Sequence, residues 1–247
     1  MFISPRFLNR SLLFAVTVLP LSAGVIYQQP SLYVPPNGAD NGFAWTSVYS
    51  PTDGGFQTFD NFAVSANSTV NVVQWTGFSR DFITPANNPV LPGAVTWDLS
   101  FSADNSGAPG AVLYDMQELA ASVTATQLGT TVRAEQTVYV YQFTAFLPTS
   151  FSAAANTTYW FSALSLQPSA NPLFVWLDGS GSDGSSYQNE LNPDGSVSQS
   201  FVRGSDRAFT LLSTPEPGPA YLFAAPLLAM LGWNRFRRKA RHESPVA

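Results

Sequence analysis

This 247-residue chain contains no cysteine. That excludes disulfides, thiol catalysis and thiolate metal centres. Lysine and histidine occur once each, as Lys239 and His242, both near the C-terminus. Residues 24–213 therefore offer no base for a Ser-His-Asp or Cys-His nucleophile, no amine for a Ser-Lys dyad or Schiff base, and none of the usual zinc ligands. Positive charge is scarce as well. Between 24 and 213 the cations are Arg80, Arg133, Arg203 and Arg207, set against fourteen carboxylates for a net charge of about −10. Nucleic-acid binding needs the opposite balance. No repeat of fixed period runs through the chain, which argues against a solenoid or propeller. Any catalysis would rest on two opposed carboxyls about 5–10 Å apart. The glutamates of this region are Glu118, Glu135 and Glu190, and Asp53, Asp104 and Asp194 stand in turn contexts where aspartate is simply a good turn former. A non-enzymatic protein is the expectation.

What the chain does contain is aromatic and β-branched sequence cut by turn residues. Candidate strands lie at 27–33, 43–49, 56–62, 68–78, 94–101, 138–146, 157–164, 172–177 and 208–212, with Pro, Gly, Asn and Asp between them. Val95, Trp97, Leu99 and Phe101 alternate cleanly, as a half-buried strand requires. The one helical candidate is a short segment at 112–121. Many short strands with turn signals predict an all-β domain, a β-sandwich or jelly roll. About 190 residues are enough to bury one core without covalent staples.

The two ends read differently from the middle. Residues 1–23 carry Arg6 and Arg10, then an apolar stretch from Ser11 to Leu19, then Leu21-Ser22-Ala23 before Gly24. This is the pattern of a secretory signal helix cut after Ala23. The sorting or anchor segment 214–241 has three parts: Pro215-Glu216-Pro217, an uncharged apolar segment 218–234, and the basic cluster Arg235, Arg237, Arg238, Lys239 and Arg241 within 235–241. The prolines keep the first part extended. Residues 218–233 as a helix span roughly 24 Å, short against a hydrocarbon core of about 30 Å. Tyr221 and Trp233 suit the two interfaces, and the basic cluster belongs on the cytoplasmic side. The expected layout is a signal peptide at 1–23, an exported ectodomain at 24–213, one C-terminal transmembrane helix within 214–241, and a tail at 242–247.

The order of the C-terminal segment resembles the PEP-CTERM sorting signal of Gram-negative bacteria: Pro215-Glu216-Pro217, one apolar helix and an Arg-rich end. The resemblance implies recognition by an exosortase, a membrane-embedded cysteine transpeptidase-like enzyme, after signal peptidase has acted at the other end. It further implies removal of the tail and delivery of the ectodomain from the inner membrane to the cell surface or a biofilm matrix, with exopolysaccharide as a candidate partner. Phe101, Asp104, Gly107, Pro109, Gly110 and Leu113 are similar to a strand-turn segment that recurs in ectodomains of this group. That match speaks for the fold.

Two ligand expectations come from the residues themselves. Asp178-Gly-Ser-Gly-Ser-Asp183 places two carboxylates among hydroxyls in a loop, so Asp178 and Asp183 are candidate calcium ligands; no other cofactor is expected. Trp45 and Trp176 adjoin turn-rich segments and are the candidate exposed rings for stacking on a sugar, whereas Trp97 and Trp160 lie in alternating apolar strands and are expected in the core. The second function expected is thus a lectin-like module. Asn67-Ser-Thr69 and Asn156-Thr-Thr158 match glycosylation sequons.

Overall fold

A computed structural model describes residues 23–36, 44–85, 96–119 and 122–214. Residues 1–22 of the signal segment and the residues from Pro215 onward, with the Pro-Glu-Pro triplet, the apolar run and the basic cluster, lie outside the described residues. The described chain is all strand and connection. In order the strands are β1 Gly24–Gln29, β2 Trp45–Thr46, β3 Val48–Ser50, β4 Gly54–Ala63, β5 Ser68–Arg80, β6 Thr96–Asp104, β7 Pro109–Leu119, β8 Val123–Arg133, β9 Gln136–Ala153, β10 Thr158–Leu166, β11 Leu173–Trp176, β12 Ser186–Leu191, β13 Val197–Arg203 and β14 Phe209–Ser213.

They form two sheets of seven strands. In the first, β5 is central. It pairs with β9 along one edge, and β8 follows β9. Along its other edge β14 takes residues 72–75 and β11 takes residues 77–80, end to end, with β1 beyond β14 and β2 beyond β11. In the second sheet the order is β13-β12-β4-β3-β10-β6-β7, with β4 also pairing directly to β10. All pairings are antiparallel except β3 with β10.

Side chains alternate across a strand, so one face of each sheet meets the other sheet. The meeting is largely aromatic. Phe101 of β6 stacks on Phe151 of β9 at 4.3 Å between ring centres, and Trp97 of β6 meets Trp75 of β5 at 5.0 Å and Phe174 of β11 at 4.7 Å. Each such pair adds about 0.5–1.5 kcal/mol beyond the burial of its area. Close approach also constrains β5: a Cβ at Gly77 would stand 2.6 Å from the Val175 carbonyl oxygen. A smaller apolar cluster of Phe78, Val138, Val140, Val175 and Leu177 lies on the outer face of the first sheet, closed over by Tyr33. The Tyr33 hydroxyl donates to the carbonyls of Pro36 and Thr130.

Residues 112–119 of the expected helix belong to strand β7 instead, which pairs with β6 from Thr96 to Asp104. Val112, Leu113 and Met116 imitate a helical spacing because a register shift interrupts the alternation. The β6–β7 turn follows the expectation. The Asp104 carboxylate accepts from the Gly107 amide at 3.2 Å, with Ser106 and Gly107 both at positive φ. Ala134 and Glu135 at φ 42° and 64° make the two-residue turn between β8 and β9.

Candidate functional site

The structure separates the residues that the sequence grouped by type. Trp176 is fully buried, paired with β5 and packed on Phe161 and Phe209, with its indole N–H donated to the Ala208 carbonyl at 2.9 Å. The expected exposure of this ring is therefore corrected: β11 is short and flanked by turn residues, yet it inserts in line with β14 against β5. Trp45 pairs with Trp176 across β2 and β11 and is covered by Arg203, whose guanidinium carbon lies 4.2 Å from its ring centre and 4.4 Å from that of Phe201. That is a cation–π sandwich within the protein rather than an open platform. Trp97 belongs to the core as expected. Trp160 is buried too, but Tyr159 and Phe161 on either side of it enter the core, so Trp160 lies on the outer face of the second sheet. There it meets the Tyr187 ring and donates its indole N–H to Asp104 at 2.8 Å.

Asp178 and Asp183 also part. Asp178 is buried in an ion pair with Arg207 and accepts from the Ser205 hydroxyl at 3.2 Å. Around Arg207 gather two further buried carboxylates. Asp60 of β4 accepts from the Arg207 amide and from the Asn61 amide. Asp206 accepts from the amides of Ser182, Gly184 and Ser185 at 2.8–3.2 Å and so folds the 181–185 loop onto itself. Burial holds the Asp60 carboxyl well above the ordinary carboxylate range, opposed by the Arg207 amide and reinforced by the charge of Asp206. Three carboxylates around one buried guanidinium are excess charge, and a proton on Asp60 relieves it. This knot joins β4 of the second sheet to the point where β11 and β14 meet in the first, through a bridge between Asp178 and Arg207.

Asp183 is exposed at the rim of a cleft of about 560 Å³ lined by Tyr27, Asn61, Asp104, Thr158 and Ser182 among others. Asn61 donates its side-chain amide to Asp183 at 2.7 Å. The Tyr27 phenol is pushed up by burial, and a side-chain bond from Ser182 opposes that. Two carboxylates, an amide and three hydroxyls without a cation among them suit a neutral, hydroxyl-rich ligand. Among the described residues no cluster of three or more acidic, histidine or cysteine side chains is arranged to hold a metal ion.

One carboxyl pair escaped the sequence. Asp98 of β6 and Asp115 of β7 share the outer face of the second sheet and hydrogen-bond to each other; burial first, then the Asp115 bond and charge, push Asp98 up to about 7. Hydrogen-bonded carboxyls stand closer together than a glycosidase pair does. A retaining glycosidase sets its carboxyls about 5–5.5 Å apart to admit a sugar. Glu135 lies in the β8–β9 turn and Glu190 in β12, on different sheets. The two sequon asparagines do come together, beside the bridge between Val64 and Ala155, where Asn67 accepts from the Ala155 amide at 2.8 Å.

Comparison with protein-family models, curated proteins and solved structures gives no match for this chain.

Proposed function

We propose that this chain is an exported, non-enzymatic surface or biofilm-matrix protein, sorted through a C-terminal PEP-CTERM signal that an exosortase processes. The observation that carries this is the order of the tail: Pro215-Glu216-Pro217, an uncharged apolar segment and a basic end. The boundary of the β domain supports it. Ser213 pairs with Gly24, and Asn71 holds Thr214 by accepting from its amide at 2.7 Å and donating to its hydroxyl at 2.6 Å. Among the described residues strand pairing begins directly after Ala23 and closes at Ser213, so loss of both end segments leaves every described ladder intact. Signal peptidase and exosortase are the processing enzymes of this reading. The inner membrane is the transient location, reached through the apolar helix, and the cell surface or matrix is the final one.

Intact mass and fractionation of the mature protein from its native host test it. The expected species lacks residues 1–23 and the segment beyond the Pro-Glu-Pro triplet, and is found at the surface or in the matrix. A full-length C-terminus in the inner membrane would overturn the sorting reading.

The second reading, a carbohydrate-binding module with or without calcium, is favoured by the polar cleft around Asn61, Asp104 and Asp183 rather than by Trp45 or Trp176. Binding to a glycan array that Asn61→Ala abolishes would support it; retention of binding in chelator would remove calcium from it.

A further inference from the structure

Acidic residues are divided between the two sheets. Among the described strands, β4, β6, β7 and β12 of the second sheet carry Asp60, Asp98, Asp104, Asp115, Glu118 and Glu190. The strands of the first sheet carry no acidic residue at all. Their only charges are Arg80 and Arg133, at the last positions of β5 and β8.

The outer face of this first sheet is patterned in rows. Gln28, Thr210, Gln74, Thr144 and Thr124 stand side by side across five strands. In the next row Val25 pairs with Leu212, Leu212 with Val72, and Val72 with Phe146. Their sequence neighbours Leu211, Val73, Ala145 and Leu147 enter the core, so these four point outward. Val72 and Leu212 form the floor of the stripe, while Val25 and Phe146 at its ends are 61% and 65% exposed. At about 4.8 Å between strands the stripe is roughly 14 Å long.

Two facts say what covers it. Leu212 is itself part of the stripe, and the described chain ends two residues later at Thr214. Only residues 215–219 separate Thr214 from the apolar run that starts at Ala220, a tether of about 20 Å when extended. A domain of net charge about −10 is repelled by an anionic headgroup surface, so it can approach a bilayer only through an uncharged face. Apolar side chains rimmed by hydroxyls and amides match the polarity of the headgroup boundary.

We infer that the Val25–Leu212–Val72–Phe146 stripe is a membrane-contact surface, seated on the lipid bilayer while the tail is inserted. This rests on residues 218–234 being a membrane segment, and the experiment separates the two. Absence of cysteine makes the full chain ready for single labels: Phe146→Cys carries a nitroxide on the stripe, and Leu113→Cys carries one on exposed β7 of the other sheet. Both replace exposed side chains and leave the core untouched. Flotation with phosphatidylcholine vesicles is measured first. In chains that float, the label at 146 gains oxygen accessibility relative to a water-soluble nickel reagent, and the label at 113 does not. Floating chains with both labels equally aqueous overturn the membrane-contact inference alone. Chains that do not float overturn the membrane-segment reading as well. Spin–spin broadening at 146 assigns the stripe to a second copy of the chain, and immobilisation at 146 without lipid assigns it to the chain's own apolar segment; either result overturns the inference.

Discussion

The space between the sheets is filled in two ways. On one side aromatic rings meet, from Trp75, Trp97 and Phe143 to Phe101, Phe151 and Phe161. On the other side Asp60, Asp178 and Arg207 are buried together, with Gln188 donating to the Thr46 carbonyl at 2.8 Å and Arg203 donating to Gln188. Rings attract through many weak contacts that survive small shifts. A buried charge is tolerated only while each partner stays in place. The aromatic side supplies cohesion, and the polar side fixes how β4 is set against the junction of β11 and β14.

That contrast can be broken most sharply at Arg207. Arg207→Ala strands two or three buried carboxylates and is expected to cost about 3–5 kcal/mol, read from urea unfolding followed by tryptophan fluorescence. Adding Asp178→Leu and Asp60→Asn should return part of the loss. If the triple variant is no better than the single one, the charges are not what Arg207 holds. Phe101→Ala is expected to cost about 3–5 kcal/mol as well, but through a cavity beside Phe151. Its cost should not change with pH, whereas that of Arg207→Ala should.

Acidity sharpens the contrast further. Asp60 is held above its ordinary value when folded, so the native state keeps a proton that the unfolded chain releases near pH ~4. Its contribution to stability is full below that value and is lost as pH rises through the raised one. Asp98, pushed up to about 7, acts with the same sign between about pH 4 and 7. Urea midpoints should fall with pH across this range, and Asp60→Asn and Asp98→Asn should each flatten the slope.

Smaller effects belong to the edges. Asp104→Ala removes the acceptor of the Trp160 indole and the brace of the β6–β7 turn, for about 1–2 kcal/mol. Asn71→Ala should cost under about 1 kcal/mol globally yet speed amide exchange at Ser213 and Thr214. Equal exchange in the parent and this variant would mean that Asn71 does not hold the end of β14.

The strands with strict alternation or dense aromatics are legible in the sequence: β5, β6, β9, β10 and β14 fall where periodicity puts them. Strands β8, β12 and β13 carry no such mark, and β7 imitates a helix. Ser-Tyr-Gln-Asn-Glu-Leu in β12 and Val-Thr-Ala-Thr-Gln-Leu-Gly in β8 are polar in composition, and they are strands because neighbours supply ladders on their edges. Burial of Trp176 is not readable from its turn-rich surroundings, since it depends on two short strands sharing one edge of β5. The Asp60–Arg207 contact joins residues 147 apart in sequence, and Asp178-Gly-Ser-Gly-Ser reads as an ordinary surface loop. Composition says which side chains the domain has for binding or chemistry. It does not give the place of the cleft, whose walls come from β1, β4, β6, β10 and two loops.

The pairing of β14 has a mechanical side. A protein held by its C-terminal end transmits load through Thr214 into β14, which has β1 on one edge and β5 on the other. Pulling along that strand shears both ladders together instead of opening one bond at a time. The N-terminal strand β1, with β14 as its one partner among the described strands, can be peeled away singly. The chain is thus strongest under tension at the end from which its tail emerges.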